Sequence, residues 1–212
     1  MNLVTSRALV DDLVVANRIL AELGVLDAFG HVSVRSDADP QRYVLTRLLA
    51  PEMVTAEDLI EYDLDSRPVH DDGRKPCLER FIHGEIYKAR PDVLAVVHSH
   101  APSVIPFAAS SVRLRPIYHM GAFLGRGAPV FDIRKQFGPT DLLVRNPDHG
   151  RQLAATLGAV SGRCSSSRAG RTRGRCCLRD RSGGAARGAA RGTAGARHRG
   201  RPGRREPDRL RR

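Results

Sequence analysis

Apolar and polar positions alternate regularly along the first three quarters of the chain, and their spacing predicts helices and strands. Between Leu3 and Leu23 apolar residues recur at helical spacing, with Asn17 as a polar exception, and Gly24 is a natural stop. The strings HVSVRS and RYVLT have the pattern of short strands separated by the Asp39-Pro40 turn. The segment TAEDLIEYDLDSRPV predicts a capped helical turn that leads into a third strand.

Further along, the same patterns predict a second group of elements. A helix is expected from Leu78 to Ala89, and the apolar run VLAVVHSH is typical of a buried strand whose end opens into a site. Shorter elements follow: a helix near 103–109, strands at LRPIYH and APVFDI, and a helix over 148–157. Alternation of helices and strands predicts a layered α/β domain over 1–158.

The periodicity ends after Gly158. Residues 159–212 consist mainly of Arg, Gly, Ala and Ser, and this composition cannot bury enough apolar area to offset the entropy lost on ordering. We therefore predict that this tail is disordered. It also holds the excess charge: residues 1–158 balance at −2 and residues 159–212 at +14, which gives the +12 of the whole chain.

Two interpretations of the tail remain open. It could be an arm for anionic partners such as RNA, although it lacks the interleaved aromatic residues that stack on bases. It could instead be a coding accident, in which a GC-rich gene is translated out of frame. The abrupt change after LAATLG and the absence of Lys favour the accident, so only non-specific nucleic-acid binding through the tail is expected.

The composition of the body sets limits on location. No stretch approaches 18 consecutive apolar residues, which predicts no membrane span, and two aspartates in the apolar N-terminal segment disfavour a signal peptide. A cytoplasmic location is expected. The cysteines lack zinc-ribbon spacing and are expected to be reduced: Cys77, Cys164, Cys176 and Cys177.

The string VVHSH contains the most informative candidate chemistry. Residues two apart on a strand share a face, so His98 and His100 can present two imidazoles to one metal ion. The alternative is a pair of histidines at a strand end near water. Glu79, at the start of the predicted second helix, could close onto the ion or act as a general acid or base. Its alternative role is a first-turn glutamate stabilised by the helix dipole.

The strings FGHVSVR, LERFIHGEIYKARPDVLAVVHSHAPSV and TDLLVRNPDHGRQLAATLG resemble the class II aldolase/adducin family over about residues 5–158. The resemblance implies a three-layer α/β/α sandwich with a mixed, largely antiparallel sheet, incomplete at the C-terminus. It implies a divalent metal, with zinc first and Mn²⁺, Co²⁺ or Fe²⁺ as alternatives. His98 and His100 correspond to metal ligands, and Glu79 to the acid/base that also touches the metal. Gly30, His31 and Ser33 correspond to a substrate-anion loop, and the assembly to a homotetramer with sites at subunit interfaces.

Three departures from the family pattern affect this picture. His31 stands where phospho-sugar aldolases usually carry Asn, and Cys77 and Leu78 replace a Ser-Ser pair that helps to hold phosphate. The family also supplies a further His ligand from a Gly-His-Gly-like strand beyond the helix that ends near Gly158, and no such string follows here. Loss of this ligand would weaken zinc binding and impair activity.

Within the family, the motifs look most like decarboxylases of small hydroxy or oxo acids, such as dihydroxyphthalate or carboxymuconate-semialdehyde decarboxylases. The expected reaction is decarboxylation or aldol cleavage through a metal-stabilised enolate. Arg47, beside Thr46, could pair with a substrate carboxylate, or could simply be an exposed turn arginine. Tyr118 and His119 are candidates for proton delivery, with a core or interface role as the alternative.

Two other classes of function compete with a lyase. A non-catalytic, adducin-like interaction module would keep the fold without the metal site. Retention of Glu79, His98 and His100 argues against it, and loss of the third histidine argues for it. A nucleic-acid binder acting through the tail would bind with an affinity that falls steeply with salt.

Overall fold

A four-stranded sheet lies at the centre of the protein, seen here in a computed structural model that describes residues 3–124 and 127–158. The strand order is β3-β2-β1-β4, and each pairing between these strands is antiparallel. The strands are β1 (His31–Arg35), β2 (Arg42–Thr46), β3 (Leu59–Asp63) and β4 (Ala95–His98).

Helices precede, interrupt and follow the strands along the chain. The α-helices are α1 (Arg7–Glu22), α2 (Arg80–Ala89), α3 (Ile105–Ala109), α4 (Arg134–Phe137) and α5 (Pro147–Leu157). Short 3₁₀ helices span Pro51–Met53, Ala56–Asp58 and His119–Leu124. Within the described residues, no helix is long and apolar enough to cross a membrane.

Helix α1 covers one face of the sheet. It begins after Ser6, whose side chain accepts a hydrogen bond from the amide of Leu9 and so caps the helix. Its buried stripe includes Val10 and Leu13, which pack on apolar side chains from the strands, among them Val44. The polar exception in the stripe, Asn17, is also buried and donates its side-chain amide to the carbonyl of Leu13 at 2.9 Å.

Helices α2 and α5 cover the opposite face, where Tyr43, Ile82 and Ile86 belong to the core. A Cβ added at Gly150 of α5 would overlap the carbonyl oxygen of Phe81 in α2. The missing side chain therefore allows the two helices to approach closely. Together with α1, these helices make the three layers predicted from the sequence, and the fold class is confirmed.

The register of β1 and β4 decides where the histidines lie. His31 at the start of β1 is directly opposite His98 at the end of β4, because the two strands are antiparallel. Helix α2 starts at the same end of the sheet, and Glu79 is its N-cap residue. The start of β1, the end of β4 and the start of α2 therefore lie together at one end of the sheet, and each contributes a polar side chain there.

Two predicted strands are wrong. LRPIYH and APVFDI form no strand in the part of the chain that is described; the first leads into the 3₁₀ helix and the second into α4. Each contains a proline, Pro116 or Pro129, which has no N–H to donate to a sheet. The predictions made for residues 159–212 lie outside the described residues.

Candidate metal centre

His98 lies at the middle of a cluster of polar groups at the end of the sheet. Its Nε2 is 3.2 Å from Oε2 of Glu79 and 3.0 Å from Nε2 of His100. His31 stacks on it with ring centroids 4.9 Å apart. The potential ligand atoms of His31, Glu79 and His98 all lie within 4.8 Å of one another. Three imidazoles and one carboxylate thus converge.

His31 is the most deeply buried member of the cluster. Its Nδ1 lies 2.8 Å from Nε2 of His83, which holds the ring from behind. Its other nitrogen, Nε2, is buried and has no hydrogen-bond partner among the described residues. It lies 3.9 Å from Oε2 of Glu79, which is too long for a hydrogen bond. A buried imidazole nitrogen left without a partner is costly, so its environment is incomplete without a further group.

His100 is oriented by a carboxylate from the loop before β1. Both carboxylate oxygens of Asp27 are 3.2 Å from Nδ1 of His100, which leaves Nε2 of that ring facing His98. Asp27 also accepts hydrogen bonds from the backbone amides of Phe29 and Gly30. Despite slight burial, which acts in the opposite direction, these bonds and His100 lower the pKa of Asp27. A carboxylate that holds the second nitrogen of a histidine is a frequent feature of metal sites.

Burial and charge shift the pKa values of His31, His83 and Glu79. Burial lowers the pKa of His31, and burial lowers that of His83 well below its ordinary value. Burial alone would raise the pKa of Glu79, but His31 and His98 more than compensate and hold it far below its usual range. Neutral imidazole and carboxylate are the protonation states that bind divalent metals.

The donor set fits a divalent cation. Two imidazole nitrogens 3.0 Å apart, as in His98 and His100, must share a proton or face each other with lone pairs. A cation between them would relieve this contact and would also complete the environment of Nε2 of His31. Ligand atoms within 4.8 Å of one another need only a small contraction to reach one ion, since zinc–ligand bonds are about 2 Å long.

A small apolar cavity of about 180 Å³ lies beside the cluster, between the sheet, α2 and α5. His98 contributes to its wall, so the cavity and the cluster share a side chain. Its lining residues are otherwise almost entirely apolar: Ile82, Ile86, Val96, Val97, Pro129, Phe131, Leu153, Thr156 and Leu157.

The predicted anion loop is placed differently from the expectation. His31 and Ser33 belong to strand β1, and the hydroxyl of Ser33 is fully buried against His83 and Tyr87. The amide of Gly30 is bonded to Asp27, and a Cβ at Gly30 would crowd Leu26. The structure thus brings His31 into the cluster, whereas Ser33 lies behind it and Gly30 permits close packing.

The structure does not bring Thr46 or Arg47 to the cluster. Side chains alternate along β2, and Val44 packs on α1, so Thr46 points to the α1 face and away from His98. Arg47 is paired with Asp58 at 2.8 Å. Their role in substrate binding stays a prediction that this geometry does not favour.

Tyr118 and His119 are exposed and pack edge-to-face on each other, with ring centroids 6.1 Å apart. No hydrogen bond or ion pair connects either of them to the cluster among residues 3–124 and 127–158. Proton delivery by these residues also stays a prediction.

The sequence did not point to Asp27, and it assigned His31 to the substrate-anion loop and not to the metal ligands. Asp27 lies in the string LDAFGH, where no periodicity marks it, and only the fold places it beside His100. For His31, a signal was available. It begins a strand whose partner could be recognised as the strand ending in His98, and antiparallel pairing of the two would have suggested their contact.

The sequence match agrees with this geometry. Residues 11–167 match the Class II Aldolase and Adducin N-terminal domain. The chain belongs to the class II aldolase and adducin family. The resemblance inferred from the motifs is confirmed, and the match ends close to the point where the composition changes, leaving residues 168–212 outside it.

Several curated relatives in this family are named as decarboxylases. The chain is 42% identical over 155 residues to the decarboxylase tropJ of Talaromyces stipitatus, covering 71% of this chain and 58% of that protein. It is 32% identical over 162 residues to a 3,4-dihydroxyphthalate decarboxylase of Arthrobacter keyseri, covering 68% and 59% respectively. The chain therefore spans less than two thirds of the length of these relatives.

Solved structures of the family have the same fold. An aldolase II superfamily protein from Pseudomonas syringae matches with a TM-score of 0.58 and 27% identity, over 73% of this chain and 60% of that one. An L-fuculose-1-phosphate aldolase from Thermus thermophilus matches with a TM-score of 0.52 and 22% identity, over 71% of each chain, which shows the fold alone.

Proposed function

We propose that this protein is a divalent-metal-dependent lyase that decarboxylates a small hydroxy or oxo acid. The observation that carries the proposal is the convergence of three imidazoles and the Glu79 carboxylate. In the part of the chain that the structure describes, the buried Nε2 of His31 has no hydrogen-bond partner. The named activities of the relatives, tropJ and the 3,4-dihydroxyphthalate decarboxylase, support the same class of reaction.

His31, Glu79, His98 and His100 would hold the metal. Nitrogen-rich donor sets with one carboxylate suit zinc, and Mn²⁺, Co²⁺ or Fe²⁺ are alternatives. When bound, a divalent cation supplies Lewis-acid stabilisation of negative charge on substrate oxygens. His31 would take the place of the family histidine that the sequence lacks, which removes the expected cause of impaired activity.

Glu79 is the group that would move protons. It lies at the N-terminus of α2, and its Oε2 faces the cluster, 3.2 Å from Nε2 of His98. During decarboxylation the bond to the carboxylate carbon breaks, carbon dioxide leaves, and the remaining carbon must receive one proton. A carboxylate that first removes a proton from a substrate hydroxyl can return it to that carbon. The same acceptor would serve aldol cleavage.

The apolar cavity beside His98 supports an acid with a compact apolar body rather than a sugar phosphate. Its walls offer few hydrogen bonds for sugar hydroxyls. The buried thiol of Cys77 and the exposed side chain of Leu78 also lack the hydroxyls expected of a phosphate site. Apolar surfaces with a few convergent polar groups are typical of sites for such ligands.

The test is an assay of the full chain with Zn²⁺, Mn²⁺ or Co²⁺ and 3,4-dihydroxyphthalate, in which carbon dioxide and aldehyde release are measured separately. We expect metal-dependent carbon dioxide release that chelation abolishes. Glu79→Gln should lower kcat by roughly 10²–10⁴-fold, and the exposed Glu52→Gln serves as a matched control. Turnover that survives chelation or Glu79→Gln would contradict the proposal, and aldehyde release alone would reassign the reaction to aldol cleavage.

We also propose that the chain forms a homo-oligomer. Large apolar side chains are exposed in one short segment, including Val112, Ile117, Tyr118 and Met120, and Ile117 is 92% exposed. Exposed apolar patches of this kind frequently mark interaction surfaces. Light scattering coupled to size exclusion measures the assembly, and Ile117→Asp should shift it toward the monomer, whereas a monomeric wild-type protein would contradict this proposal.

A further inference from the structure

A chain of hydrogen bonds runs behind the cluster into the core. Nδ1 of His31 contacts Nε2 of His83 at 2.8 Å, and Nδ1 of His83 contacts the hydroxyl of Ser33 at 2.6 Å. Ser33 contacts the hydroxyl of Tyr87 at 2.7 Å. We call His83, Ser33 and Tyr87 the buried relay.

The relay is out of reach of water. Ser33 and His83 are fully buried and Tyr87 is 1% exposed, and their neighbours in the core include Tyr43, Ile82 and Val96. Burying polar groups is costly unless each is hydrogen-bonded. Apolar side chains of similar size could fill this space at lower cost, so a polar chain that ends on a site histidine has a use beyond packing.

The relay limits the tautomers available to His31. A neutral imidazole carries one N–H, so the 2.8 Å contact between the two rings allows two arrangements. Either His83 donates to Nδ1 of His31, which puts the proton of His31 on Nε2, or His31 donates from Nδ1 to His83. In the second arrangement Nε2 of His31 presents a lone pair to the cluster. His83 then carries its hydrogen on Nδ1 and donates a hydrogen bond to the hydroxyl of Ser33. The hydroxyls of Ser33 and Tyr87 can donate or accept, so they fit either arrangement.

We propose that the buried relay positions His31 as a metal ligand. Nδ1–H of His31 then donates a hydrogen bond to Nε2 of His83, and the lone pair on Nε2 of His31 points at a divalent cation. This rests on the metal dependence proposed above and adds a ligand and three positioning residues to it. Ser33 matters most in the metal-loaded state, because its hydroxyl oxygen then accepts the hydrogen bond that Nδ1–H of His83 donates.

The first test compares two replacements of His83 in the full chain. His83→Gln keeps an amide oxygen that can accept from Nδ1 of His31, whereas His83→Phe fills the space without an acceptor. We expect the affinity for Zn²⁺, measured by titration calorimetry, to fall by roughly 10–100-fold in His83→Phe and to stay near wild type in His83→Gln. Both variants should lose thermal stability, so equal affinities at similar melting temperatures would overturn the proposal.

A second pair of variants uses the two buried tyrosines. Tyr87→Phe removes the last hydroxyl of the relay, and Tyr62→Phe removes a buried hydroxyl that has no hydrogen-bond partner in the described residues. We expect Tyr87→Phe to weaken Co²⁺ binding a few-fold and Tyr62→Phe to leave it unchanged. Ser33→Ala should lie between Tyr87→Phe and His83→Phe. If Tyr62→Phe and Tyr87→Phe weaken Co²⁺ binding equally, the relay has only a packing role.

A measurement on the wild-type chain avoids variants that fail to fold. Long-range ¹H–¹⁵N spectra of the Zn²⁺-loaded protein should show His31 protonated at Nδ1 and metal-bound at Nε2. A proton on Nε2 would overturn the proposal. If wild type binds no Zn²⁺, the proposed function fails as well. If His98→Ala abolishes binding while His31→Ala and His83→Phe do not, the relay proposal alone fails.

Discussion

The two faces of the central sheet are built from the same four strands but have different contents. Along β1, Val32 packs toward α1, whereas His31 and Ser33 lie on the α2 face with His83. The α1 face under Val32 is a cluster of aliphatic side chains. The α2 face carries imidazoles and hydroxyls, and its apolar residues surround them.

Alternation of side chains along one strand can therefore separate the residues that stabilise the fold from those that take part in its chemistry. Residues two apart share a face, so a single five-residue strand supplies aliphatic contacts on one side and the polar chain on the other. Changes on the α1 face should therefore alter stability without altering metal binding. Changes at the polar end of the α2 face should alter metal binding with little effect on stability. Three of the four predictions below test this separation, and the other tests the packing of the helices on the α2 face.

The largest effect is expected on the α1 face. Leu13 is almost completely buried, and Leu13→Ala should lower the free energy of unfolding by about 3 kcal/mol through lost contacts and a residual cavity. Urea denaturation measures the change. Affinity for Zn²⁺ under folding conditions should stay the same, and the half-exposed Ile19→Ala on the same helix should change stability by less than about 0.5 kcal/mol. A loss of metal affinity in Leu13→Ala would break the separation.

On the α2 face, His98→Ala should weaken Zn²⁺ binding by roughly a hundredfold, because about 10–16 kcal/mol of binding energy in a structural zinc site is shared among four ligands. The free energy of unfolding without metal should hardly change, since His98 is partly exposed at a strand end. Calorimetry and urea denaturation measure the two quantities. The control is His149→Ala, in which the histidine contacts Phe137 rather than the cluster.

The contact between α2 and α5 should show an intermediate effect. A methyl group at Gly150 would overlap the carbonyl oxygen of Phe81, so Gly150→Ala should destabilise by about 1–3 kcal/mol. Gly73→Ala is a useful comparison, because an added Cβ there meets nothing within 4 Å and its strain comes only from a positive φ of 76°. Thermal melting compares the two, and an equal loss in both would show that backbone strain, not helix packing, decides the outcome.

The smallest effect is expected at Asp58, the partner of Arg47. Burial opposes ionisation of Asp58, but Thr55 and Arg47 hold its pKa below the ordinary value of 3.8. A carboxyl group whose pKa is lower in the folded state stabilises the fold above its unfolded pKa, and this contribution is lost as the pH falls through the folded pKa. Asp58→Asn should therefore cost about 1 kcal/mol at pH 7.

The difference between wild type and Asp58→Asn should shrink as the pH is lowered below about 4. Urea denaturation at several pH values measures it. Metal affinity at pH 7 should not change, because the Arg47–Asp58 pair lies apart from the histidine cluster. A difference that stays constant at low pH would show that the charge of Asp58 contributes nothing.

Most of the elements could be predicted from the sequence because their signals are local. The strings HVSVRS and RYVLT fall on β1 and β2, and the helix predicted over 148–157 differs from α5 by one residue. Capping explains where α5 begins: the side chain of Asn146 accepts a hydrogen bond from the amide of His149, and Pro147 is the first residue of the helix. The strands predicted around Pro116 and Pro129 failed because apolar composition was given more weight than the missing N–H groups.

The site was harder to predict because it depends on register and on face. His98, His100 and Glu79 could be proposed from type and spacing alone. The placement of His31 required the pairing of β1 with β4, and the position of Thr46 required knowing which face of β2 meets α1. Arg47, which follows β2, pairs with Asp58 at the end of the 3₁₀ helix before β3, and no local pattern indicates this contact.

The aromatic rings packed behind the histidines allow metal binding to be followed by the protein's intrinsic fluorescence. The chain has no Trp and four Tyr, so tyrosine dominates its ultraviolet emission. Tyr43, Tyr62 and Tyr87 are buried. The ring of Tyr43 stacks on Tyr62, is tilted against Tyr87, and also stacks on His83 with ring centroids 6.4 Å apart. Emission from these rings would be quenched when a paramagnetic ion such as Co²⁺ binds nearby, so loading could be followed without any label.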